Sequence, residues 1–134
     1  MENQNKLAFL WLLTVIGMIL HFNYHIGGIF YGIDVVRPDA DGKETTGVLI
    51  IRNVFYHLPM LFIVAILYLK SKWFKWKMFI LSCVYALAHA AHLFGEFRHE
   101  AINPSQVSLL SVVFVIAVLL VIEHLKVVRS ITAK

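Results

Sequence analysis

The chain has 134 residues, of which 60% are hydrophobic and 15% charged, and its mean hydropathy is +0.76. Soluble domains hold about 45–50% apolar and roughly 25% charged residues, so this composition excludes an ordinary soluble core and points to a lipid bilayer as the solvent. The net charge of +4 is no nucleic-acid signal, because the lysines gather at the ends of apolar segments. Cys83 is the only cysteine, which excludes an intrachain disulfide and a thiolate zinc site.

Four apolar stretches reach the ~20 residues that a helix needs to cross a hydrocarbon core. They cover residues 7–26, 48–69, 76–97 and 107–127. The expected fold is all-α: one domain spanning 1–134, a polytopic four-helix transmembrane bundle. The first stretch is too long for a signal-peptide core, and no small-x-small cleavage site follows it, so it is read as a retained helix. It ends in His21 and His25, four apart and therefore on one face. Thr14, Gly17, His21, His25 and Gly28 form a small-or-polar stripe, along which a neighbouring helix or a cofactor can approach closely.

The connection over 27–47 is the longest. Gly27-Gly28 and Phe30-Tyr31 suit an interfacial segment or a continuation of the helix. Arg37-Pro38-Asp39-Ala40-Asp41-Gly42 is turn chemistry. On the second helix Asn53, His57 and Met60 share a face. Arg52 beside them is expected to snorkel to the outer interface, or to pair with Glu96 or a haem propionate.

The second connection is short and basic. Trp73 and Trp76 alternate with Lys70, Lys72, Lys75 and Lys77, as in interfacial anchors. The third helix carries Ser82, Tyr85, His89, His92, Glu96 and His99 at alternating spacings of three and four, a single polar face. Ionisable groups inside a membrane seldom face lipid, so this face is expected to look inward. Asn103 and Pro104 are an N-cap and a first helical residue. The fourth helix runs almost wholly apolar to Glu123-His124 and reads as a packing helix that closes the bundle. His99 and His124, and His25 taken singly, are expected as interface side chains.

Lys6, the four lysines of the second connection, Lys126, Arg129 and Lys134 all fall on one side of an up-down-up-down chain. The positive-inside rule then puts both termini in the cytoplasm. The expected location is a plasma membrane of the bacterial inner-membrane kind, with the histidine end extracytoplasmic.

At 1.5 Å per residue, His21 and His92 lie ~8 Å below the outer boundary, and His57 and His89 lie at ~13–14 Å. Three helices thus bring histidine to overlapping depths, and buried neutral imidazoles need partners. Three readings follow. A transition metal (Zn, Cu, Fe or Mn) would be held by His21, His25, His57, His89 and His92, with Glu96 as ligand or as partner to a ligand's N–H. A b haem would take axial histidines from His21 or His57 and from His89 or His92, and would serve electron transfer with quinone. A metal-free network would only pair helices or respond to pH. The expected partners are the bilayer, a lipid-soluble substrate or quinone, and other membrane subunits.

Overall fold

The computed structural model describes residues 3–36, 40–98 and 103–133, and among these the chain is helical with no strand. Helix α1 runs Asn3–Gly27 and passes into a 3-10 turn, Gly28–Tyr31. Helix α2 (Thr46–Arg52), a π-helical turn (Asn53–His57) and α3 (Leu58–Tyr68) form one continuous span, followed by α4 (Lys72–Glu96) and α5 (Pro104–Thr132). All four spans are long and apolar enough to cross a membrane.

Helices α2, α4 and α5 start ahead of their apolar stretches, each behind a polar cap. Ser71 Oγ accepts from the Phe74 N–H, so α4 begins at Lys72 and the lysine–tryptophan segment is its first turns. Asn103 Oδ1 accepts from the N–H groups of Ser105 and Gln106, with Pro104 at the first helical position, as the sequence predicts. Thr45 caps α2 through the Val48 N–H. After α1 the chain turns at Gly32, whose φ of 74° lies in the left-handed region that a side chain disfavours. In the polar half of the first connection, Asp34 and Asp41 close Asx turns onto Val36 N–H and Lys43 N–H. Residues 37–39 lie outside the described residues.

Helix α1 lies between α3 and α5, and α4 packs along α5. Trp11 meets His124 while His21 meets Gln106, so α1 and α5 run antiparallel. Close approach is built in at Gly17, where an added Cβ would stand 2.4 Å from Val113 Cγ2. The small-residue stripe of α1 therefore serves a helix, α5.

The core is aromatic at its centre. Trp11 is fully buried, with Phe62 and Tyr85 against it at centroid distances of 5.1 and 5.0 Å, both edge-to-face. Leu7, Ile66, Met78 and Leu120 complete the cluster. Large apolar side chains elsewhere face outward, Leu61, Ile80, Leu87 and Val115 among them. A soluble fold would hide such surface, whereas acyl chains cover it at no cost.

The π turn combines a proline on the second span with a hydroxyl on α4. Leu58 N–H bonds to Asn53 O, one residue further back than in an α-helix. The next donor in that register belongs to residue 59, which is proline and has no N–H. Val54 O is left over, and the Tyr85 hydroxyl donates to it. One bond thus closes α4 onto the second span and satisfies a backbone acceptor that the membrane interior would leave unpaired.

Candidate metal centre

The C-terminal turns of α1 and α4 and the first turn of α5 meet at one end of the bundle. His21 leaves α1 six residues before its end, ~9 Å below it at 1.5 Å per residue, and is 6% exposed. His92 of α4 stands against it, with ring centroids 4.5 Å apart and planes nearly perpendicular. Four residues further along the same face is Glu96, which is also buried. One ligand atom each from His21, His92 and Glu96 lies within 4.8 Å of the others. His21 and His92 sit at one level, as the rise along each helix predicts.

Hydrogen bonds fix the state of His21. Gln106 Nε2 donates to His21 O at 3.3 Å. A carbonyl only accepts, so the amide orientation follows and Gln106 Oε1 is the atom 2.6 Å from His21 Nδ1. That oxygen is also only an acceptor, so Nδ1 carries the proton and Nε2 presents a bare lone pair. An imidazole whose proton is fixed on one nitrogen by a partner, leaving the other unprotonated, is the arrangement of a metal ligand and its supporting partner. His25 Nε2 lies 3.2 Å from His21 Nε2.

Glu96 makes no hydrogen bond or ion pair among the described residues. A buried carboxylate beside bare imidazole lone pairs is a concentration of negative potential that demands a cation or protons. Two imidazoles and one carboxylate are a donor set shared by catalytic zinc and by non-haem iron(II), both of which leave coordination positions open. With bonds of 2.0–2.1 Å, tetrahedral ligand atoms stand ~3.3 Å apart, so side-chain rotation that draws the three donors together by up to about 1.5 Å completes such a site.

The other expected histidines go elsewhere. His89, one turn deeper on α4, is 1% exposed. Its ring lies against Phe55 and Tyr85, and its Nδ1 is sealed without a partner among the described residues. It is not among the three converging donors. His57 is exposed and pairs through Nδ1 with Asn53 Oδ1 at 2.9 Å on its own span. Asn53, His57 and Met60 do share a face, but that face is exposed, because the polar positions that touch the bundle are Tyr56, whose hydroxyl donates to Met18 O, and Val54 O. Arg52 pairs with Glu44, not with Glu96. His124 is not an interface side chain. It is buried, and its Nε2 accepts from Trp11 Nε1–H at 3.2 Å. His99 falls outside the described residues.

The helix-by-helix assignment changes accordingly. The site draws on α1, α4 and α5, and the second span supports it only through Tyr56. Gln106 is the residue that sequence reasoning passes over. Its signal is an amide in the first turn of an otherwise apolar helix, one turn after an N-cap. The axial pairing of a b haem needs a porphyrin between two imidazoles. The His21 and His92 rings touch each other, so that pair leaves no space for a porphyrin between its imidazoles. Comparisons with protein-family models, curated proteins and solved structures give no match to this chain.

Proposed function

We propose that this is an integral membrane metal-binding protein that holds one divalent transition ion through His21 Nε2, His92 and Glu96, at the extracytoplasmic end of the bundle. The observation that carries the reading is the His21–Gln106 pair. It spends a buried amide on holding one imidazole in the tautomer whose Nε2 is unprotonated, beside His25 and within reach of a second histidine and a carboxylate. His25 stands close enough to His21 to enter as a fourth ligand. Zinc or iron(II) suits the donor set best, and copper(II) and manganese(II) share its ligand types. Open coordination positions let such an ion bind a water or a lipid-soluble substrate, quinone included, arriving through the outer leaflet. The lysine-bearing end faces the cytoplasm by the positive-inside rule.

A second reading has its own support. With His21 Nε2 bare, His25 Nε2–H can donate to it, and the chain His25–His21–Gln106 then closes without an ion. In that case the protein is a helix-pairing subunit of a larger membrane assembly.

The two readings part on one measurement. Protein purified in mild detergent, without affinity chelation, is assayed for metal by elemental analysis and for colour by absorption. One equivalent of a transition metal, lost in His21→Ala and Glu96→Gln but kept in His57→Ala, is the expected result. A colourless, metal-free preparation that fails to take up added zinc or iron(II) refutes the proposal and favours the network. A Soret band restores haem.

A further inference from the structure

The opposite end of the bundle holds a second, independent constellation. The first turns of α1 and α4 and the last turns of α3 and α5 enclose a cavity of about 130 Å³. That is close to the engineered cavities of about 150 Å³ that admit benzene. Its inner wall is apolar, with Leu7, Ile66 and Met78; the polar lining is Asn3, Gln4, Lys75, His124 and Ser130, and the Ser130 hydroxyl already donates to Val127 O at 2.7 Å.

His124 is the informative residue. The Trp11 indole N–H can only donate, so His124 Nε2 must accept and the neutral ring carries its proton on Nδ1. No acceptor for that proton is found among the described residues. Yet Nδ1 is not a sealed atom, because the single sealed, unpartnered side-chain atom among them belongs to His89. His124 is 2% exposed and lines the cavity, so the cavity is where its N–H looks. Lys75 makes no ion pair among the described residues. The nearby Glu123 carboxylate is already shared by Lys6 at 2.8 Å and Lys126 at 2.7 Å. An ammonium and an imidazole N–H therefore meet a greasy wall, with no uncommitted carboxylate among the described residues that line it.

We infer that this cavity binds the phosphate of an anionic phospholipid. The headgroup oxygens would accept from Lys75 Nζ and His124 Nδ1–H, and the ester stem would lie against Leu7, Ile66 and Met78. Lipid is the source favoured by position, because the cavity lies at the helix ends, among the interfacial tryptophans and lysines. General attraction of basic segments to anionic lipid is worth ~1 kcal/mol per cation and needs no site. The enclosed N–H and the cavity distinguish a built site from that attraction.

The test uses the full chain in nanodiscs of mixed phosphatidylglycerol and phosphatidylcholine, with lipid retained on release read by native mass spectrometry. Retained phosphatidylglycerol is expected to exceed its share of the bilayer by at least fivefold, at one per protein. Lys75→Ala and Ser130→Leu, which remove a cation and fill the cavity, should each bring that excess close to one. Lys77→Ala, of equal charge change on the same helix but away from the cavity, should leave it within twofold. Equal losses in Lys75→Ala and Lys77→Ala, or no excess in the unaltered protein, would overturn the inference. So would displacement of the lipid by millimolar inorganic phosphate, which would assign the cavity to a free anion. None of these readouts depends on a metal at the other end.

Discussion

At the scale of single residues, the candidate metal centre is testable through what holds its donors as well as through the donors themselves. Gln106 contacts His21 twice, through His21 Nδ1 and His21 O, and it is 1% exposed. Partners of this kind change metal affinity ~10–100-fold when removed. Gln106→Leu keeps the volume and deletes both contacts, so metal affinity is expected to fall by that factor while the helices still assemble. Competition with a chromophoric chelator measures it. Gln106→Glu retains an acceptor at Nδ1 and should lose less. Low pH acts in the same direction as Gln106→Leu, because imidazole must be deprotonated to ligate and protons compete with the ion. Affinity should therefore fall as pH drops and recover when it is raised. His89 makes the opposite case. Its sealed, unpartnered Nδ1 carries a desolvation penalty of ~1–3 kcal/mol. His89→Phe replaces it with a ring suited to Phe55 and Tyr85. The expected outcome is unchanged metal content with equal or higher thermal stability in detergent. A loss of the metal on that substitution would make His89 a ligand after all.

Among the elements, two contacts determine how the spans lock. Gly17 lets α5 approach until Val113 occupies the place of a side chain. Gly17→Ala must push the two helices apart or force Val113 out of its rotamer, and overpacking of this kind costs ~1–3 kcal/mol. Because His21 and Gln106 lie just beyond that contact on the same two helices, the substitution should also weaken metal binding, although it touches no ligand. The π turn yields a sharper test. Val54 O needs the Tyr85 hydroxyl only because Pro59 lacks an N–H. Tyr85→Phe is expected to destabilise by about 1 kcal/mol, near the typical worth of one such bond in a membrane protein. In a Pro59→Ala background the chain supplies its own donor, so the same change should cost clearly less. A double-mutant cycle on thermal unfolding measures that coupling, and full additivity would mean that the two residues act separately. All four spans and the Asn103–Pro104 start are legible in the sequence, because length, apolar content and capping chemistry are local properties. The π turn is not. It arises from a proline meeting a hydroxyl on another helix, and no periodicity within one segment encodes that meeting.

Across the whole molecule, what the sequence could not supply is rotation of each helix about its axis. Depth follows from counting residues, and it brings His21 and His92 together correctly. Facing direction depends on neighbours. The second span has polar groups on two sides, and Tyr56 and the freed Val54 carbonyl rather than His57 happen to meet the bundle. The third helix had one polar face only, so Ser82, Tyr85, His89 and Glu96 are all buried as their spacing predicts. The resulting molecule is polarised. Its donor cluster lies at one end, and most of its lysines, with the Lys6–Glu123–Lys126 group joining the first turns of α1 to the last turns of α5, lie at the other. If the lysine-rich end faces the cytoplasm, a membrane potential and an anionic inner leaflet both favour that arrangement. Cys83 sits within a span, so a Cys83→Ser background clears the chain for labelling. Lys43→Cys in the first connection should then react in intact cells with a membrane-impermeant maleimide, and Lys72→Cys only after the cells are opened. The reverse pattern would turn the bundle over and put the donor cluster, with whatever substrate reaches it, on the cytoplasmic side. Adding lysines beside Lys43 should erode the labelling contrast stepwise, because orientation then becomes a competition between two basic ends.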